Sequence, residues 1–570
     1  MKMALATSRG FLGFGVLCAL CGSTLFSQAR AVGIQPIPQK IGTLPTIITH
    51  HTKITLECGT TYYGPLELSN LSYVSIETSG LTSSCGRAVI TTAVPVPTWQ
   101  VYKGSIYMAK VPKPVAQVFV DGQLMGVAHY PNSLSEKGWI QPTSVTATTM
   151  QVAGLPLDLV GAKATIRGSY PWAIGTRTVT AYDGKTLTVP ANTDKDLIAE
   201  DSMNLGRFYL EGKLWMLDSP GEWAWSNGYL YLWMPDGKSP VGRVLAAPNT
   251  NYIINARGTT LLSLKDVRIL GGNIGIDAGY SNQLNKGSDH LQLSNTEIAY
   301  SNWVGLYASE AKDFAVDGSQ IFGALHSGIY DRTQATPYTG TLKHGGVIVR
   351  NSTFTNINTT GMHKGSDGSI FMNNEYLAEV TNNVIVNSGK SGIFLGESKN
   401  ALIKDNRVLG ACRTHGDCGG IYVFSRSGTP LYTRIVGNLV RDVNGEPARA
   451  GSTKPERYGI YLDDYATGVT VMGNTIMNND SGMQLHLAFN NSITWNIFDG
   501  NVTRHVLLSE GGGPAGSMHG NVISNNMFKG PSLIYLFAVQ KPTTAATLSG
   551  NNYTHSTASP MVDPSTVLPY

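Results

Sequence analysis

Charge is scarce in this sequence. Lys, Arg, Asp and Glu together make up 14% of the 570 residues, and the formal net charge is +4. So even a balance argues against a broad basic surface, and no nucleic-acid partner is expected, although a local basic cleft stays open. Cysteine is scarce as well, with six residues and no HExxH; the one CxxC, Cys18 to Cys21, lies in the apolar start, so no standard zinc framework is offered. Long apolar runs are missing except at the start. There Lys2 and Arg9 precede "GFLGFGVLCALCGSTLF", and "ARA" follows at Ala29 to Ala31. That run is too short for a typical spanning helix and has the layout of a secretory signal peptide, residues 1–31. The expectation is an exported protein beginning near Val32, secreted or periplasmic, with no membrane span after cleavage.

Removing Lys2, Arg9 and Arg30 leaves 39 basic residues against 38 acidic ones, a formal charge of +1. Cys18 and Cys21 leave with the same segment, and four cysteines remain. Cys412 and Cys418, in "CRTHGDCGG", can close a small loop, and Cys58 and Cys85 form the other pair that export would allow to oxidise. A metal site is the competing reading of these cysteines.

A helical period is the other absence. From residue 261 onward one phrase recurs instead: a short apolar strand, an Asn-rich corner, then Gly and alternating apolar residues. "VRILGGNIGIDAG", "TEIAYSNWVGLYAS", "SQIFGALHSGIYDR", "STFTNINTTGMHKG", "NNVIVNSGKSGIFLG" and "NTIMNNDSGMQLHLA" are examples. Strands of three to six residues in repeats of this size indicate stacked coils, each burying its apolar side against the next. Asn at the corners suits left-handed backbone and side-chain ladders between coils.

With these repeats the chain resembles the right-handed parallel β-helix of the pectin-lyase-like superfamily over roughly residues 251–550. "ITLECGTTYYGPLELSNLSYVSIETSG" reads as opening coils (residues 32–92), and residues 551–570 as a tail. Between them, residues 93–250 hold seven of the nine Trp and turn pairs such as Asp121-Gly122 and Asp236-Gly237, which suggests an inserted antiparallel β subdomain. Trp215, Trp223, Trp225 and Trp233 read first as its packing residues, with sugar platforms as the alternative. The whole arrangement is similar to one set of exported β-helix carbohydrate-active enzymes. That resemblance implies an all-β fold and a polysaccharide or oligosaccharide partner; it does not identify a reaction.

Counting from the repeat Gly gives the faces. Leu306, Ile329, Met362, Ile393, Ile421, Ile460 and Met483 form an apolar column that must point inward. The next position, Tyr307, Tyr330, His363, Phe394, Tyr422, Tyr461 and Gln484, is then an outer ladder. Stacked aromatics either stabilise that face under a cover or line a groove for sugar rings. Polar groups gather beside the ladder. Asp463 and His486 share an offset on consecutive coils, and so do Asp417 and Glu456; Glu397 and Asp464 fall at strand ends. Lys390 and Arg457 lie close by, with Lys364 in "GMHKGSDG". His363, Asp367 and Asp331 are further candidates for substrate contact.

Carboxylates on adjacent coils suit glycoside hydrolysis, in which one acid protonates the leaving oxygen and another activates water or attacks the anomeric carbon. Asp463 and Asp417 are the expected pair, with Asp464 as a third acid. Substrate contacts are expected from Tyr330, His363, Lys364, Phe394, Glu397, Tyr422, Glu456, Arg457, Tyr461 and His486. The alternative is a polysaccharide lyase acting on uronic acids by β-elimination, with Lys364, Lys390, Arg413 and Arg457 as cations. A third reading is a carbohydrate-binding β-helix without catalysis. No cofactor is expected for a hydrolase; Ca²⁺ enters with the lyase reading. The polygalacturonase set of an "NTD" with a later "GHG" and "RIK" is missing, since neither follows the "NTD" at residues 192–194, and the "DPH" of mannuronan epimerases is absent. A monomer is expected.

Overall fold

The computed structural model describes residues 37–133, 138–167, 172, 174–191, 207–333, 346–359, 368–445, 456–514, 516–530, 534–537, 542–554 and 561–562. The expected signal segment (1–31), His363, Lys364 and Asp367 lie outside these residues. Each coil supplies three short strands, for example Asp289–Ser294, Glu297–Ala299 and Val304–Tyr307. Stacked coil on coil, they build three long parallel sheets of 13, 14 and 13 strands. Among the described residues, helix is confined to the short pieces Leu214–Met216 and Pro542–Ala545. No helix there is long and apolar enough to cross a membrane.

Alternation decides what goes inside. Ile329, Ile370, Ile393, Ile421, Ile460 and Met483 stand in register on the third sheet and are all fully buried. Most repeat glycines are forced by close approach. A Cβ on Gly305 would stand 2.6 Å from the Gly328 carbonyl oxygen of the next coil, and one on Gly459 would meet the Gly482 oxygen at the same distance.

Asparagines turn the corners in pairs. Asn382 takes a left-handed backbone (φ 54°), and the following Asn383 points inward. There its backbone N–H and side-chain amide both donate to Asn406 Oδ1, each at 3.0 Å. The chain of side chains continues through Asn438, Asn474, Asn496, Asn526 and Asn551. Because each amide also donates to a main-chain carbonyl, as Asn438 does to Ile403, a row of buried polar groups is satisfied at once. Shorter rows, Asn491–Asn521 and Asn479–Asn501, hold the other two corners.

Among the described residues, one long insert interrupts the solenoid. Thr260–Lys265 pairs directly with Ser72–Ser79, and Val267–Leu270 with Ala88–Thr91. The residues between Thr91 and Tyr252 form four small, mostly antiparallel sheets. Trp223 is buried among them, and Trp215, Trp225 and Trp233 pack against their cores. The Trp223 and Trp225 indole N–H groups donate to the Met125 and Val111 carbonyls. These rings are packing residues. Disulfides join Cys58 to Cys85 in the opening coils and Cys412 to Cys418 beside the third sheet.

Candidate functional site

The candidate site stands on the outer face of the third sheet. Its aromatic ladder exists, with one rung changed. Tyr330 is in register with Phe371, and Phe371 with Phe394, so Phe371 occupies the place expected for His363. In that coil Ser369 stands where the others have the repeat Gly, and counting from Gly361 selects the wrong residues. The strand is Gly368–Asn373, and Ile370 replaces Met362 in the inward column.

The ladder is a stack rather than an open platform. Tyr330–Phe371, Phe371–Phe394 and Phe394–Tyr422 have ring centroids 4.7, 5.1 and 4.7 Å apart and nearly parallel planes. Phe371, Phe394, Tyr422 and Tyr461 are all buried, so the reading of Phe394 as a sugar-stacking face is corrected: its two faces are taken by neighbouring rings. Tyr330 keeps partial exposure and stacks in turn on the partly exposed Tyr307 of the preceding coil, with centroids 5.6 Å apart. At Tyr461 the order changes: its ring meets Tyr422 edge-on, at 75°. The two hydroxyls diverge, and each donates to an acid. Tyr422 donates to Asp463 Oδ2, and Tyr461 to Asp417 Oδ1 at 3.3 Å.

Asp463 is the next-to-last residue of the strand Arg457–Asp464 and is in register with Phe424. His486 Nδ1 lies 2.7 Å from Asp463 Oδ1, and its Nε2 donates to the Gly511 carbonyl at 2.6 Å. Both ring nitrogens therefore face acceptors, which suits an imidazolium. Burial disfavours that charge, but the Asp463 hydrogen bond and charge outweigh it, and the His486 pKa rises to about 9. Asp463 responds in the opposite sense. Burial would raise its pKa, yet the His486 ion pair and the Tyr422 hydroxyl hold it below the ordinary carboxylate value.

Asp417 closes the Cys412–Cys418 loop in a left-handed conformation (φ 49°). It keeps a partial opening to solvent. Burial, then the Asp463 charge, push its carboxyl up to about 7, with Lys390 opposing and Glu456 adding to the rise. Lys390 itself spans the loop, donating to the Gly416 and Asp417 carbonyls at 3.0 and 3.2 Å. Two nearby acids thus differ in state at neutral pH: one ionised, one poised near half-protonation.

The other expected residues have narrower places. Asp464 pairs with the exposed Arg426 at 3.2 Å, and burial followed by the Asp463 charge raises its pKa. Glu397 ties a corner, accepting from the Arg426 backbone N–H at 2.6 Å and the Ser425 hydroxyl at 3.0 Å. Arg457 is buried against Asp480 at 2.6 Å. The Glu456 carbonyl accepts from the Cys418 N–H. Arg413 donates to Asn444. Asp331 is fully buried inside the solenoid, so the expectation that it touches substrate is overturned. Asp463, Asp464 and His486 place one ligand atom each within 4.8 Å of one another and are the side chains here that could hold a metal ion. Sequence reasoning missed Arg167 of the insert, which donates to the Thr414 carbonyl in the Asp417 loop; at 247 residues' separation no local signal marks it.

The family model described as a right-handed β-helix region matches residues 343–552. A solved structure described as a glycoside hydrolase overlaps with a TM-score of 0.59 at 12% identity, covering 89% of this chain and 90% of its own. The chain is a right-handed parallel β-helix. XylC in complex with xylose (TM-score 0.40, 9% identity, 86% of this chain and 81% of that one) is a more distant overlap. So is the periplasmic alginate epimerase AlgG (TM-score 0.34, 12% identity, 53% and 74%). Neither adds to the argument. No curated protein matches the sequence. At such identities the likeness speaks for the β-helix alone.

Proposed function

We propose that this β-helix is an exported carbohydrate-active enzyme that hydrolyses glycosidic bonds of a polysaccharide or oligosaccharide. The observation that carries the reading is the opposed pair: Asp417 is raised to about 7 while Asp463 is held ionised. Environments that push two carboxyls apart in this way assign an acid and its anionic partner. Asp417 donates a proton to the leaving oxygen. Asp463, oriented by Tyr422 and His486, supplies the carboxylate that activates water or stabilises the positive charge developing at the anomeric carbon. The neighbour described as a glycoside hydrolase agrees with this reading without carrying it.

β-Elimination calls for cations aimed at a uronate carboxylate. Lys390, Arg413 and Arg457 are engaged with main-chain carbonyls, Asn444 and Asp480, which favours hydrolysis. A polysaccharide panel tests this choice. New reducing ends without ultraviolet absorbance support hydrolysis. Products absorbing in the ultraviolet, as unsaturated uronates do, assign a lyase instead. Asp463→Asn that binds glycan and stays folded but does not turn over supports the assignment. Full activity in that variant removes it.

A further inference from the structure

Inside the solenoid, away from the candidate site, three carboxylate oxygens receive no hydrogen bond from any other residue. Asp331 follows Tyr330 in the strand Ser327–Arg332, and alternation turns it inward, in register with Met372. Glu375 lies just past the end of the next strand of the same sheet, Gly368–Asn373. Both side chains are 0% exposed. Thr333 donates its hydroxyl to Glu375 Oε1 at 2.8 Å, whereas no donor from another residue reaches Asp331 Oδ1, Asp331 Oδ2 or Glu375 Oε2. Among the described residues no Lys, Arg or His makes an ion pair with either acid. Burial first, then the Glu375 charge and a hydrogen bond to Glu375, then the charge of Glu310 on the preceding coil, raise the Asp331 carboxyl well above its ordinary value.

Such a pair cannot stay doubly ionised in a dry interior without a counter-charge. One shared proton answers a single oxygen–oxygen contact and leaves the third oxygen unpartnered. A divalent cation answers all three. We propose that Asp331 and Glu375, with the Thr333 hydroxyl, bind one Ca²⁺ that clips two consecutive coils from within. Oxygen-only donors exclude a soft-metal site. Ca²⁺ accepts irregular protein-oxygen shells, whereas Mg²⁺ demands an octahedron and keeps its waters, which this apolar surround does not favour.

The test uses the full exported chain, stripped with a chelator and titrated with CaCl₂ or MgCl₂ at pH 7.5. Bound metal and the thermal midpoint are read together. The expectation is one Ca²⁺ per chain and a midpoint several degrees higher with Ca²⁺ than with Mg²⁺, both lost in Asp331→Asn/Glu375→Gln. This double variant leaves Asp463, Asp464 and His486 intact, so metal taken up there would persist in it. A Ca²⁺ response of equal size in the double variant overturns the proposal. So does a midpoint that ignores Ca²⁺ and instead rises as pH falls from 8 to 6 in the wild type alone (roughly the interval around a carboxyl shared by a proton). Should the double variant not fold, Glu375→Gln alone is read the same way.

Discussion

Replacing Asp417 by Asn tests the acid assignment most directly. The change keeps the shape, and Asn can still accept from Tyr461, so the aromatic stack and the disulfide loop stay in place. What is lost is a transferable proton, and positioned general acids contribute about 10²–10⁴-fold. The pH profile adds a second, independent reading. Asp417 acts protonated, and its pKa lies at about 7, so wild-type kcat/KM should fall as pH rises through 7, to roughly a tenth of its plateau one unit higher. Asp463 acts ionised with a lowered pKa, so the acidic limb should lie below the ordinary Asp value and leave a wide plateau between. In Asp417→Asn the alkaline limb should vanish. A nitrophenyl glycoside of the same sugar, whose leaving group needs no proton, should be hydrolysed with a much smaller loss than the natural glycan. An alkaline limb that persists in Asp417→Asn, or equal losses on both substrates, would refute the assignment.

Tyr422→Phe should raise the Asp463 pKa and move the acidic limb upward, with kcat about 10-fold lower and little change in thermal midpoint; an unmoved limb in the pH profile argues against the Tyr422 hydrogen bond. Arg167→Met should lower kcat several-fold more than it changes KM, because the insert then releases the Thr414 carbonyl of the Asp417 loop; steady-state kinetics that show only a KM change would assign Arg167 to substrate binding. Asn438→Ala strips the acceptor of the Asn406 N–H and the donor to Ile403, and chemical denaturation should show a loss of roughly 2–4 kcal/mol. A loss under about 1 kcal/mol would mean the asparagine row is not a major source of stability.

The parts of this molecule legible in its sequence are those that repeat. Ile329, Ile393, Ile421 and Ile460 announce an inward column because every coil obeys the same alternation. Doubled asparagines such as Asn382-Asn383 mark corners because only a few residue types take a left-handed backbone cheaply. Asp463 and His486 could be placed on adjacent coils by offset alone, and the structure has them hydrogen-bonded. The reading failed where one coil departed from the rule. Ser369 in the glycine position hid Phe371, and His363 was put in its place. Offset three sends Asp331 inward with Met372, but its place at the mouth of a long insertion masks that rule. Whether the outer ladder is covered was beyond alternation altogether, since parity gives a side and says nothing of what packs over it. Arg167 depends on how two distant parts dock, which no spacing encodes.

The insert leaves and rejoins the solenoid at one spot: the Thr250 hydroxyl donates to that of Thr92 at 3.2 Å. The coils on either side already pair as though nothing lay between them. Such a splice makes the subdomain an exchangeable cassette, free to be lengthened, trimmed or swapped in evolution or by engineering without disturbing the winding of the rod. A short turn bridging Thr92 to Thr250 should therefore yield a rod that still closes but loses the arm that Arg167 extends toward the acids and bares the Leu270, Ala299 and Phe322 face that Phe119 covers.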